Sequence, residues 1–91
     1  MSRKIPRPFH MPWGDGQIIE EVSVQASHWE PTIQLMEYEE GERSLRFCYY
    51  SEGRFGRGPM MIGEEEIAQF GKALGRTRWI GRMLRKMAGS D

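Results

Sequence analysis

The chain is poor in the residues by which enzymes and metal proteins are usually recognised. Its 91 residues include a single cysteine, Cys48, and two histidines, His10 and His28. One cysteine excludes an intrachain disulfide and fits a reducing compartment. Lying in an apolar and aromatic run, it reads as a buried structural thiol, because reactive cysteines need an accessible, electropositive setting. The histidines are far from one another and from Cys48, with none of the short spacings of a zinc site, so no metal is expected. Gly53, Gly56 and Gly58 sit close together, but the GxxxxGK[ST] and GxGxxG patterns of phosphate loops are missing. No nucleophile stands beside a base and no carboxylates are arranged for acid–base work, so catalytic residues and cofactors are not expected. No apolar run approaches the roughly 20 residues of a membrane span. The N-terminal segment lacks the apolar stretch of a signal peptide, which makes a cytoplasmic location the default.

What is present is an ordinary globular composition, 38% hydrophobic and 29% charged, with a formal net charge of zero. That zero conceals a segregation. From Gly14 to Glu42 every charged residue is acidic: Asp15, Glu20, Glu21, Glu30, Glu37, Glu39, Glu40 and Glu42. From Arg43 onward cations dominate, interrupted by Glu52, the run Glu64, Glu65, Glu66, and Asp91. Segregation of this kind bears on partners rather than on fold. The length suits one domain, and chains of this size bury only roughly 60 to 65% of their unfolded surface, so a homodimer is expected.

Pattern along the chain predicts an α+β fold: a four-stranded antiparallel meander sheet followed by a C-terminal helix, with a basic helical extension. Residues 1–16 hold Pro6, Pro8, Pro12, Gly14 and Gly16 and read as an extended arm. In residues 17–26, Ile18, Val22, Val24 and Ala26 alternate with Ile19 and Glu21, a half-buried strand that Glu20 interrupts. Residues 32–39 and 44–50 make the second and third strands around the turn Glu40, Gly41, Glu42, with Leu45, Phe47 and Tyr49 expected on the core face. Residues 51–58 form a glycine-rich hairpin tip or loop, and Met60 to Ile62 a short fourth strand. Gly63 and the three glutamates after it open a helix, where carboxylates face the positive end of the dipole. Ile67, Phe70 and Leu74 recur at helical spacing. Beyond Gly75 the helix resumes with an apolar stripe of Ile80, Met83, Leu84 and Met87 and a cationic opposite side. The domain is thus read as residues 17–75, with 1–16 as its arm and 76–91 as its basic extension.

The one chemically suggestive constellation is basic and aromatic interleaving: Arg46, Tyr49, Tyr50, Arg54, Phe55 and Arg57. Arginines can follow phosphates while aromatic faces stack on unpaired bases. The stretch "RFCYYSEGRFGRGPMMIGEEEIAQFGKAL", residues 46–74, resembles the single-stranded DNA-binding domain of transcriptional coactivators of the positive cofactor 4 type. That resemblance implies a sheet-plus-helix fold, a homodimer formed through the helices, and a groove for unpaired DNA. By position, Arg46, Arg54 and Arg57 would contact phosphates and Tyr50 or Phe55 would stack on bases. The expected function is therefore a non-enzymatic, sequence-tolerant single-stranded DNA or RNA-binding module with a transcription-related role, and Arg76, Arg78, Arg82, Arg85 and Lys86 supply additional basic contacts. The alternative is a homo-oligomeric protein-interaction module that sets acidic strands against the basic helix. A membrane-surface role for that helix is a third reading.

Overall fold

The structure, a computed structural model, describes residues 3–90. Met1 and Ser2 of the expected arm and Asp91 of the expected extension lie outside the described residues. Seven elements follow in chain order: β1 (Arg7–Met11), β2 (Gly14–Ser23), β3 (Glu30–Tyr38), β4 (Arg43–Ser51), β5 (Arg54–Phe55), α1 (Glu64–Leu74) and α2 (Ile80–Met87). The strands form one antiparallel sheet in the order β1-β2-β3-β4-β5, curled into a half-barrel with the two helices C-terminal to it. The α+β class and the meander order are as the alternation predicts.

Two strand assignments differ from expectation. The arm is not merely extended: Arg7 to Met11 pairs with β2, in register from Arg7 opposite Ile18 to Met11 opposite Gly14. Pro8 is compatible with this because β1 is an edge strand, where a missing N–H need not break a ladder. Met60 to Ile62, in contrast, forms no strand. After Phe55 the residues Gly56, Gly58 and Pro59 carry the chain irregularly to α1, and the Trp29 indole donates to the Met61 carbonyl oxygen at 3.3 Å. The fifth strand is instead the short β5, joined to β4 through Glu52 and Gly53, both at positive φ (52° and 81°). That pair of left-handed residues is the type I′ hairpin geometry that matches strand twist.

A bulge decides which side chains meet. The β2–β3 register shifts between Ile18 and Glu20, leaving Ile19 as the extra residue. An extra residue reverses the in/out alternation and increases local twist. The single face expected for Ile18, Val22 and Val24 is therefore split in two. Ile18 packs on the concave side with Phe9 and Met36, while Val22 and Val24 join Ile33, Leu35, Phe70 and Ile80 on the convex, helix-covered side. The residue that looked like a fault, Glu20, then points at the helices.

The convex core is closed by both helices. In α1, Phe70 is buried, and Ala73 and Leu74 pack against the cluster. Ile67, expected on the apolar stripe, is 58% exposed. In α2, Ile80 is fully buried, with Met83 and Leu84 beside it, and Met87 is exposed. The helices meet closely at Gly81, where a Cβ would lie 2.6 Å from the Leu74 carbonyl oxygen, inside van der Waals contact. Thr77 links them further, accepting from the Gly81 N–H at 2.8 Å and donating to the Leu74 carbonyl at 2.7 Å. Both Glu20 carboxylate oxygens accept from the start of α2: the Arg78 N–H at 2.7 Å, the Trp79 N–H at 3.1 and 3.2 Å, and the Ile80 N–H at 2.6 Å. A side chain from a strand 60 residues away thus caps the helix and sets a negative charge at the positive end of its dipole.

Candidate nucleic-acid interface

The concave side of the sheet is the less expected half of the molecule. Strand parity places Arg7, Glu21, Ser23, Thr32, Gln34, Arg46, Cys48, Tyr50 and Phe55 there, since these residues oppose one another across successive ladders. Curling buries much of this polar set. Thr32 and Gln34 are inaccessible, and Cys48 and Tyr50 are buried. Tyr50 and Cys48, rather than Phe47 and Tyr49, are thus the well-buried members of β4, and Phe47 is 44% exposed. The helices cover only part of the convex face, and on the concave one Arg3 lies over Tyr50 while Phe55 stays half-exposed.

Burial of polar groups requires that they satisfy one another. Gln34 is the hub. Its Nε2 donates to Glu21 Oε2 at 2.7 Å and to Tyr50 Oη at 3.0 Å, and its Oε1 accepts from Arg46 Nε at 2.8 Å. Arg7 grips Glu21 with two bonds, 2.7 Å to Oε2 and 3.2 Å to Oε1, and also donates to Tyr50 Oη at 3.3 Å. Arg3 donates to Glu30 at 3.2 Å and lies over the Tyr50 ring with its guanidinium carbon 3.6 Å from the centroid. Burial works against ionisation of Glu21, but the bonds from Arg7 and Gln34 and the charges of Arg7 and Arg3 together outweigh it and hold the carboxyl below its ordinary range. Burial pushes the Cys48 thiol up.

Of the expected site residues, Arg46, Tyr50 and Phe55 come together. The Arg46 guanidinium sits 4.8 Å from the Phe55 ring centroid, and the Tyr50 and Phe55 rings meet edge to face at 5.6 Å. Phe55 keeps 49% of its surface exposed. Tyr50 does not: its hydroxyl is engaged and Arg3 covers its ring. Arg54 and Arg57 are exposed and form no ion pair among the described residues. Arg54 opposes Ser51, which places it on the other face from Phe55. A cleft of 640 Å³ opens nearby, lined in part by Arg3, His28, Glu30, Tyr50 and Glu52.

The basic extension lies elsewhere. Arg43 and Arg78 both stack on Trp79, at 5.1 and 4.9 Å, which anchors the start of α2 near the first residue of β4. Arg54 is at the far end of β4, so the anchor points of the two basic elements are separated by eight residues of strand, about 26 Å. Arg76, Arg82, Arg85 and Lys86 are exposed and have no carboxylate partner among the described residues.

The acidic half, in contrast, is largely consumed by the fold. Glu20 caps α2, Glu21 and Glu30 bind Arg7 and Arg3, Glu37 pairs with Arg43 at 3.0 Å, and Asp15 meets His10 at 3.1 Å. Glu39, Glu40 and Glu42 remain exposed at the β3–β4 turn. The charge segregation in the sequence is therefore unequal at the surface: Glu20, Glu21 and Glu30 are engaged within the fold, whereas most late cations have no carboxylate partner among the described residues. Sequence reasoning missed the roles of Arg3, Arg7, Glu21 and Gln34. The available signal was Gln34 and Thr32 alternating with Ile33 and Leu35 inside an otherwise apolar strand. Among the described residues no three His, Cys, Asp or Glu side chains cluster as metal ligands, and no helix is long and apolar enough to cross a membrane. No protein-family model, curated protein or solved structure matches the chain.

Proposed function

We propose that the chain is a non-enzymatic, sequence-tolerant module for single-stranded nucleic acid, binding through the β4–β5 end of the sheet. The observation that carries this reading is Phe55, a half-exposed ring braced by Arg46 and Tyr50, with the exposed cations Arg54, on the opposite face, and Arg57 adjoining it along the chain. A braced aromatic with exposed arginines at the same end of the sheet suits stacking on an unpaired base while its strand's phosphates are held nearby. Tyr50 supports Phe55 from beneath instead of stacking itself. Arg76, Arg82, Arg85 and Lys86 offer a second phosphate-binding surface for a longer strand. The resemblance of residues 46–74 to the positive cofactor 4 type of domain supports the same reading, and so does the engagement of Glu20, Glu21 and Glu30 within the fold.

Fluorescence anisotropy with a labelled oligonucleotide tests it. Affinity should fall steeply with salt through counterion release, and replacing Arg54 and Arg57 with alanine should flatten the slope by about 0.7 per lost contact. Phe55→Ala should weaken binding by about 1 to 3 kcal/mol, the range for one lost stacked base. No measurable binding at low salt, or a neutral Phe55→Ala, overturns the proposal. The exposed Glu39, Glu40 and Glu42 turn favours a second reading, in which it docks on the cationic face of α2 of another copy. Salt-sensitive assembly indifferent to oligonucleotide would select that reading instead.

A further inference from the structure

The sheet ends in an open edge. β5 pairs with β4 only at Tyr50 and Ser51, and the Gly56 N–H adds one bond to the Tyr49 carbonyl at 2.8 Å. Main-chain groups alternate sides along a strand. The Tyr38 N–H bonds the Glu42 carbonyl toward β3, so the even-numbered residues of β4 face β3, and Tyr49, bonded on the other side, confirms that odd-numbered residues face outward. The N–H and C=O groups of Arg43, Leu45 and Phe47 therefore point to the open side, and none has a main-chain or side-chain partner among the described residues. An exposed edge of this length is a template for another strand.

We propose that this edge is a self-association surface. Two copies pair antiparallel over residues 43–47 with the two-fold axis at Leu45, joining their sheets into one. Register is selected by chemistry. Outward residues must face outward residues, which restricts the options to shifts of two. With the axis at Leu45, Arg43 of each copy faces the partner's Phe47, Leu45 faces Leu45, and the six outward groups of each copy are used in six reciprocal bonds. Arg43 opposite an aromatic ring is an attractive cross-strand pair, and no like charges stand directly opposite. Moving the axis to Arg46 sets the two Arg46 residues face to face and places the partner's Arg43 at Tyr49, a position Gly56 already occupies. Moving it to Ser44 leaves Phe47 beyond the paired segment. A second copy is the fitting occupant because one short pattern satisfies itself on both sides, the condition for an isologous interface.

The test uses the full chain without nucleic acid, so it stands apart from the binding function. Sedimentation equilibrium should show a monomer–dimer equilibrium. Amide hydrogen exchange should show protection at Arg43, Leu45 and Phe47 that rises with protein concentration, while Ser44, Arg46 and Cys48 stay protected at every concentration. Phe47→Lys puts two like-charged pairs across the interface and should weaken dimerisation at least about tenfold. Phe47→Glu, an equally polar change at the same exposed position, faces the partner's Arg43 and should dimerise within about threefold of the parent. A chain that stays monomeric, a dimer whose odd-numbered amides exchange freely, or equal weakening by lysine and glutamate overturns the proposal. Should either variant unfold, the exchange pattern of the unmodified chain decides alone.

Discussion

Replacing Glu20 tests whether the sheet holds the last helix by electrostatics. Its two oxygens receive three consecutive N–H groups at 2.6 to 3.2 Å, one of them from the fully buried Ile80. Losing a capping side chain costs about 0.5 to 2 kcal/mol, and losing a negative charge at a helix N-terminus a further ~0.3 to 1. Glu20→Ala removes both and should cost about 1 to 3 kcal/mol. Glu20→Gln keeps one acceptor oxygen, loses the charge, and should cost about 1. For a chain of this size 1 kcal/mol corresponds to roughly 4 to 8 °C in Tm, so the two variants should separate clearly in a thermal scan. Urea unfolding followed by far-UV circular dichroism and tryptophan fluorescence gives the free energies, with Glu39→Gln on the exposed turn as a control expected within about 0.5 kcal/mol of the parent. If Glu20→Ala also falls within that margin, the cap contributes nothing and α2 is held by its apolar contacts alone.

Glu21→Gln leaves Arg7 and Arg3 without their shared counter-charge and should destabilise by roughly 2 to 4 kcal/mol at neutral pH, read from urea midpoints. The folded carboxyl is held below its unfolded value of about 4.3, so its contribution is full above that pH and disappears as pH falls through the folded value; the parent and Glu21→Gln stability curves should converge on acidification. Gly81→Ala forces a Cβ against the Leu74 carbonyl and should destabilise by about 1 to 3 kcal/mol despite alanine's higher helix propensity, a sign that calorimetry reads directly. Cys48 should react with a thiol reagent only after unfolding, because it is buried and its thiol is pushed up; rapid labelling of the native chain would contradict its placement.

How much of this was legible depended on the range of the interaction. The β3–β4 hairpin was readable because alternating residues flank Glu-Gly-Glu, and Gly41 does adopt positive φ (98°). The opening of α1 was readable from Gly63 and its glutamates, and Glu66 does accept from the Gly63 N–H at 2.9 Å. β1 was hidden by Pro8 within it and by Pro6 and Pro12 on either side, and the tolerance of Pro8 rests on an edge position that only the assembled sheet defines. The bulge at Ile19 has no local mark, yet it turns Glu20 from an apparent fault into a cap. In the candidate site, Phe55 and the arginines around it stood out as a short pattern. The network behind them did not, because Arg7, Glu21, Gln34 and Tyr50 are joined across three ladders with no characteristic spacing.

The bond between Glu20 and the Ile80 N–H closes a loop of sixty residues. A chain emerging during synthesis can form its hairpins early, but the convex side cannot be sealed until the last helix has appeared. Contacts so distant in sequence slow folding, since a long loop must be ordered before they reward it. Until then the Val22, Ile33 and Leu35 surface stands open, and that interval is when the nascent chain is most exposed to mispairing with its neighbours.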